Sequence, residues 1–537
     1  MADAEFTIDM RMIKFFVLVA FLAVVAFLEM SLVVNSPIAF GDEALHTSIA
    51  RWMSSHRDYP VNIPQIGTDI YKTGFFRSPL WNITLGSFYF LFGFSELIVK
   101  LLVPFIAVMT ALTVYILVSK LFSQNAGIIA GLVTIAVPSY VTYSVLFYPE
   151  ALLVLYMSIT FLATFLAFKT NRRKYIFLAG IFAGLSVLTD ASGFTAPIFF
   201  ALVFLWQMFR SRSIANTFRF WLPAIIVFLV VISPYMLRNI TYYKTPFCQF
   251  PTIFSVKQCT PEPEYTAKYS FEGVLSSGQT GIELFTSGIL SWLSFAYGFL
   301  FFVPVFAVAG IVLSAYRREL TEMLLLISLL AFAFIFYQSL TGRVEDLTRN
   351  LVSSTAIVAL FAGLYADEMG EFLKRYQKSL FWIVIFFAVA LSFLMVRDRI
   401  DTLASVKAFS PLFFETCNWV KQNLPENSML LSFNTAPTVY NCERQAQWNL
   451  VDGADIILSQ NVTLAKERLK ANGFTHIFVQ KFSITQQKIS GGYWTGFLDM
   501  MNQNPIDFKV VYENGPDLLT CVRQGGCDGT VIYQIVY

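Results

Sequence analysis

Leu97–Leu121 reads LIVKLLVPFIAVMTALTVYILVSKL, an apolar run whose only charges are Lys100 and Lys120. A helix needs about 20 such residues to cross the hydrocarbon core of a bilayer, so this stretch is long enough to span one. Outward from it, comparable runs begin near residues 12, 126, 151, 175, 195, 220, 289, 321, 350 and 379. Together they predict about eleven spans and a mainly α fold, a multi-spanning membrane helix bundle. The composition agrees: of 537 residues, 56% are hydrophobic and 14% charged, with 56 Phe, 24 Tyr and a mean hydropathy of +0.61. Soluble domains carry roughly 25% charge, so an ordinary water-soluble enzyme is excluded, as is a disordered or collagen-like chain. The net charge of +3 is spread in short clusters between apolar runs rather than on one face or tail, which points away from a nucleic-acid partner.

Those basic clusters order the topology. Lys120, then Lys169, Arg172, Arg173 and Lys174, then Arg210, Arg212 and Arg219, then Arg317 and Arg318, then Lys374, Arg375 and Lys378 fall in every second loop. Loops rich in Lys and Arg stay in the cytoplasm, so these are predicted inside. Arg11 and Lys14 precede the first run, which is too long for a signal peptide and lacks a small-residue cleavage site, so it reads as a retained anchor with the N-terminus inside. The run from Pro79 to Gly93 reads as an interfacial helix, because counting it as a span would move the later basic loops outside. The outer side then receives residues 35–96, 144–150, 188–194, 238–288, 341–349 and everything from about 397. The protein is expected to be a multi-pass protein of the plasma membrane.

All six cysteines, Cys248, Cys259, Cys417, Cys442, Cys521 and Cys527, fall in segments assigned to the outer side. Disulfides persist in oxidising compartments, and closeness in sequence suggests Cys248–Cys259, Cys417–Cys442 and Cys521–Cys527, free thiols being the alternative. From about residue 397 the apolar stretches shorten and turn signals appear at Leu424-Pro425-Glu426-Asn427, Asp452-Gly453 and Asn472-Gly473. MLLSFN, HIFVQ, FKVVYE and VIYQIVY read as strands, and ETCNWVKQ and NVTLAKERLKAN as helices, the second with Asn461 as its cap. The chain thus divides into a membrane domain, 1–396, with a first outer loop at 35–96, and a small extracytoplasmic soluble α/β domain, 397–537.

Acidic residues near the bilayer are few. Asp42 and Glu43 sit just after the first span with Lys72 and Arg77 in the same loop, Glu150 follows Phe147-Tyr148-Pro149 at the outer end of the third, Arg238 ends the seventh and Arg349 precedes the tenth. Acids and arginines are therefore expected on one outer rim. Arginine can hold a lipid-linked phosphate bidentately, and a carboxylate can take the proton of an attacking hydroxyl, a combination suited to sugar transfer from a lipid phosphate. Loop charges also flank any membrane span, and interfacial arginines often snorkel to headgroups. His476 lies in a predicted strand and reads as packed, while His46 and His56 have no metal-ligand spacing with a carboxylate.

The residues resemble a known family. GDEALHTSIARWM (41–53), RSPLWNITLGSFYFLFGFSELIVKL (77–101), SYVTYSVLFYPEALLVLYM (139–157) and PYMLRNITYYKTPF (234–247) are similar, in order and spacing, to segments of the GT-C type membrane glycosyltransferases. The nearest in kind are the dolichyl-phosphate-mannose protein mannosyltransferases and lipid A aminoarabinose transferases. The resemblance covers about the first 350 residues. It implies a GT-C fold and a polyprenyl-phosphate sugar donor, with the acid of the first outer loop as base: Asp42, with Glu43 beside it. It further implies that Glu150 stands where the family usually has Asp, that Arg77 stands near its lysine, and that Arg238 and Arg349 meet phosphate. Lys100 and Val145 depart from family arginines, and Asp190 from a family lysine; no WWDYG-like segment is present, which argues against the oligosaccharyltransferase branch.

The expectation is a membrane glycosyltransferase (hexosyl- or mannosyltransferase-like) acting on a protein, lipid or glycan at the outer face. Two alternatives remain at this stage: a lipid-linked sugar flippase or transporter, and a non-catalytic glycan-assembly subunit. No cofactor is called for, although a divalent cation bridging Asp42, Glu43 or Glu150 and the donor phosphate stays open.

Overall fold

The computed structural model describes residues 10–38, 41–60, 68–69, 78–211, 213–243, 246, 352, 355–374, 378–407, 410–432, 434–447, 461–481, 493–517, 521 and 527–537. These form two compact units, Met1–Asn35 with Phe76–Trp81 and Ser95–Ala404, and Ser36–Phe75 with Asn82–Phe94 and Ser405–Tyr537.

The described residues of the first unit are helical. Its elements are α1 (Met10–Asn35), the first two residues of α3 (Leu80–Phe92), α4 (Glu96–Leu121), α5 (Gln124–Ala136), α6 (Pro138–Val145), α7 (Glu150–Thr170), α8 (Arg173–Thr189), α9 (Thr195–Arg210), α10 (Ile214–Tyr243), α11 (Thr355–Lys374) and most of α12 (Lys378–Lys407). Among the described residues, five helical stretches are long and apolar enough to cross a membrane: Phe15–Asn35, Glu96–Leu121, Glu150–Thr170, Ser192–Phe209 and Ile214–Tyr242. The runs expected from 289 and 321 lie outside the described residues, and Pro79–Gly93 supplies the helix α3.

Local chemistry sets several boundaries. Glu96 in the first turn of α4 and Lys120 in its last complement the helix dipole. A helix seldom runs through a proline, so Pro138 ends the path of α5 and starts α6 as its first residue. Helix α4 packs on α5 and α7, and α8 on α7 and α10. The α8–α10 approach needs a residue without a side chain, because a Cβ at Gly180 would collide with the Ala224 carbonyl. Small residues at such crossings let membrane helices close on each other, where apolar burial alone gives no drive in lipid.

The second unit holds α2 (Gly41–His56), β1 (Thr68–Asp69), the remainder of α3, then α13 (Pro411–Asn423), β2 (Met429–Ser432), α14 (Thr435–Cys442), β3 (Gln445–Gln447), α15 (Val462–Ala471), β4 (His476–Gln480), α16 (Tyr493–Gln503), β5 (Phe508–Asn514) and β6 (Thr530–Ile535). Among the described residues, six strands make one mixed sheet in the order β1-β3-β2-β4-β6-β5. The pairs β1–β3, β3–β2 and β2–β4 are parallel, while β4–β6 and β6–β5 are antiparallel.

Because successive strand residues face opposite ways, the sheet has a core on each side. Ile477, Val479, Val531 and Tyr533 pack with Ala465 and Leu469 of α15 and Phe497 and Met501 of α16. Phe478 and Ile532 face the other way, toward Phe413 and Val420 of α13 and Cys442 of α14. The strands and both helices expected in the tail are present, and Asn461 caps α15 by accepting from the Leu464 amide. The disulfides Cys417–Cys442 and Cys521–Cys527 are formed, whereas Cys248 and Cys259 lie outside the described residues.

Helix α2 and strand β1, both from the segment expected to form the first outer loop, belong to the same unit as the tail. Strand β1 enters the sheet through Thr68 opposite Ala446 and Asp69 opposite Gln447.

Candidate active site

In the second unit, Asp42 and Glu43 stand in the first turn of α2. That turn leaves amide N–H groups without intrahelical partners and carries the positive end of the helix dipole, a setting that favours carboxylates. Consecutive helix residues diverge by about 100°, so the two acids face different surroundings. Asp42 is half-buried, while Glu43 is fully buried. Thr47 Oγ1 donates to the Glu43 carbonyl at 2.7 Å. His46, one turn on from Asp42, is buried, and its Nδ1 lies 2.7 Å from Asn82 Oδ1. A carboxamide oxygen only accepts, so Nδ1 is the nitrogen that carries the proton. Near the other end of α2, Arg51 donates to the Tyr440 hydroxyl at 3.0 Å, with its guanidinium 4.2 Å from that ring's centre.

In the first unit, Glu150 opens α7 behind Pro149 and is 3% exposed. The segment leading to it is held by three other helices. From α1, Glu29 accepts from Ser144 Oγ at 2.5 Å. From α12, Arg399 Nε donates to Thr142 Oγ1 at 2.8 Å. From α3, the buried Trp81 donates through Nε1 to the Phe147 carbonyl at 3.0 Å. Phe147 and Tyr148, both buried, fill the turn between α6 and α7. Arg238 is half-buried near the end of α10, donating to Asn239 Oδ1 at 3.2 Å with Tyr242 5.9 Å from its guanidinium. Helices α7 and α10 do not pair directly in this unit's strongest packing; each lies against α8.

The departures noted in the sequence have local roles. Lys100 pairs with Glu96 one turn back at 3.4 Å. Val145 is fully buried. Asp190 caps the short helix Ala191–Phe194, accepting from the Ser192 amide at 2.9 Å and from the Ser192 hydroxyl. Lys72, Arg77 and Arg349 lie outside the described residues. His476 is buried on β4, its Nδ1 2.9 Å from Thr475 Oγ1, and burial pushes its imidazole below the usual range. Among the described residues no three His, Cys, Asp or Glu side chains gather into a metal-binding cluster. Sequence reading passed over Trp81, Thr142, Arg399 and Arg51 as site-building residues. Arg51 is the one with a signal, since it ends the IAR of the resembling segment.

Residues 77–237 match the family model described as dolichyl-phosphate-mannose-protein mannosyltransferase. No curated protein matches the chain. Among solved structures, the Archaeoglobus fulgidus oligosaccharyltransferase in complex with Zn and sulfate is similar at a TM-score of 0.65 and 14% identity, over 92% of this chain and 72% of that one. ArnT from Cupriavidus metallidurans bound to undecaprenyl phosphate is similar at 0.62 and 14% identity, over 96% and 98%. The mycobacterial arabinofuranosyltransferase AftD is similar at 0.55 and 13% identity, over 96% of this chain and 40% of that one. At such identities the likeness is one of fold. This chain is an integral membrane protein with the fold of the GT-C glycosyltransferases, and over residues 77–237 it matches the protein mannosyltransferase family.

Proposed function

We propose that this chain is a membrane glycosyltransferase that moves a sugar from a polyprenyl-phosphate carrier to an acceptor hydroxyl of a protein, lipid or glycan at the outer face of the membrane. The observation that carries this reading is the match to the mannosyltransferase family over 77–237, the stretch that contains Glu150 and reaches Pro234 and Leu237 beside Arg238. The carrier class is supported by relatives of the same fold, ArnT with undecaprenyl phosphate and the archaeal oligosaccharyltransferase AglB with dolichol-phosphate. The donated sugar is a hexose, mannose by family likeness.

In this reading the bond between the sugar's anomeric carbon and the phosphate oxygen breaks as the acceptor oxygen bonds to that carbon. The phosphate leaves with the bonding electrons and is already a fair leaving group, so the acceptor hydroxyl is what needs activation. Asp42, half-buried at a helix start, takes its proton as general base. Glu43 and Glu150, both buried, orient rather than transfer. Arg238 and Arg349, with Lys72 and Arg77, meet the phosphate, since a guanidinium fork matches its oxygens and keeps its charge beside lipid. The tail and the first outer loop lie outside the cell and the N-terminus inside.

A transfer assay on the full chain in detergent, with labelled polyprenyl-phosphate hexoses and mixed membrane acceptors, tests this. Label should move to an acceptor and free polyprenyl phosphate should appear in equal amount. Carrier crossing proteoliposomes with no label transferred would overturn the reading in favour of a flippase.

A further inference from the structure

The second unit brings two consecutive tail residues onto both ends of the segment that carries Asp42. Tyr440 accepts from Arg51 at 3.0 Å and lies under its guanidinium, near the C-terminal end of α2. Asn441 Nδ2 donates to the Ile38 carbonyl at 3.1 Å, just ahead of the helix start. A few residues on, β3 pairs with β1, which belongs to the same loop as α2. Helix α14, which bears Tyr440 and Asn441, is itself tied to α13 by Cys417–Cys442 and packs along α2. Ile38 and Tyr440 are buried, at 2% and 5% exposure, so each contact has one partner shielded from bulk water while Arg51 and Asn441 are half-buried.

We propose that the tail segment Thr435–Gln447 is a clamp that positions α2, with Tyr440 and Asn441 as positioning residues for Asp42. The proposal rests on the reading of Asp42 as the base only for its catalytic consequence; the clamp stands on the contacts themselves. Neither Tyr440 nor Asn441 touches substrate in this scheme. Their effect runs through the angle and register at which α2 presents its first turn, where a displacement of about 1 Å can cost about a hundredfold in rate. The arrangement also gives the outer domain a task that needs no catalytic group of its own.

The test is hydrogen exchange of the full-length protein in detergent, read over 41–56, beside the transfer assay. Tyr440→Ala and Asn441→Ala should speed exchange in α2 about tenfold, leave β4 and β6 protected, and lower kcat about 10- to 100-fold with donor KM changed less than twofold. Tyr440→Phe, which keeps the ring beneath the guanidinium, should recover most of both. Arg51→Gln breaks the same contact from the loop side and should act like Tyr440→Ala even where the tail variants fold poorly. Unchanged exchange over 41–56 in Arg51→Gln and Tyr440→Ala would overturn the clamp, whatever the activity. If the wild-type protein transfers no sugar, the proposed function falls while the exchange arm still decides the clamp.

Discussion

Asp42 and Glu150 both stand in the first turn of a helix, yet the chain builds the two turns differently. Ahead of Glu150 the segment is locked by Glu29, Arg399 and Trp81 and filled by Phe147 and Tyr148, and the carboxylate is buried at 3% exposure. Asp42 sits half-buried on a helix held through its ends, by Asn441 at Ile38 and Tyr440 at Arg51. A carboxylate on a buried residue, behind a segment tied to several helices, would suit orientation of other groups. One that reaches solvent from a well-held helix suits exchange of a proton with an incoming hydroxyl. The contrast is one of burial, and the roles proposed for the two acids follow it.

The largest expected effect tests that separation. Asp42→Asn keeps the shape and removes the basicity, so turnover should fall about 10²–10⁴-fold while insertion and donor binding persist. Glu150→Gln and Glu43→Gln should lose less. Near-normal transfer by Asp42→Asn together with abolition by Glu150→Gln would reverse the two roles, and normal transfer by all three would end the glycosyltransferase mechanism.

Next in size is the brace behind α14. Replacing both Cys417 and Cys442 by Ala should lower the stability of the second unit by about 2–4 kcal/mol, read by chemical denaturation with a tail fluorophore. If the first unit's unfolding moved by as much, the comparison of two separately held regions would lose its basis.

Arg238→Gln should weaken donor affinity about tenfold or more, because a hydrogen bond to a charged group contributes about 1.5–3 kcal/mol. Titration with the polyprenyl-phosphate donor checks this, and a change within about twofold would remove Arg238 from the phosphate site.

The smallest effect is acid sensitivity of the tail sheet. Burial holds the His476 imidazole below its ordinary value of about 6.5, so the unfolded chain takes up the proton at a higher pH than the folded one. The stability this contributes is complete above the ordinary value and is lost as pH falls from there toward the folded one. His476→Asn should flatten the dependence of the unfolding midpoint between about pH 7 and 5.

Much of the frame was legible along the chain. Apolar runs at 12, 97, 151, 195 and 220 became long helices, and the short apolar, β-branched runs in HIFVQ and VIYQIVY became β4 and β6 with a core on each face. The pairing of Cys417 with Cys442 followed from nearness in sequence. Other elements gave no such sign. TAPTVYNC holds a proline and two β-branched types and reads as no helix, yet it is α14, packed on α2 and α13. Gln445–Gln447 and Thr68–Asp69 are too short and polar to announce strands, and they pair because their neighbours present open edges.

By itself, then, the sequence determined that this is a membrane helix bundle with a small C-terminal α/β domain, and which carboxylates are candidates. The length of an apolar run and its residue types are local properties, long runs matched to bilayer thickness and short β-branched runs to buried strands, and a linear reading recovers them. Only the tertiary structure decided that Arg399 and Trp81 hold the turn before Glu150, and that Tyr440 and Asn441 hold α2. Those are single hydrogen bonds between residues tens to hundreds of positions apart, and no local pattern encodes which partner a lone donor will meet once the chain is packed.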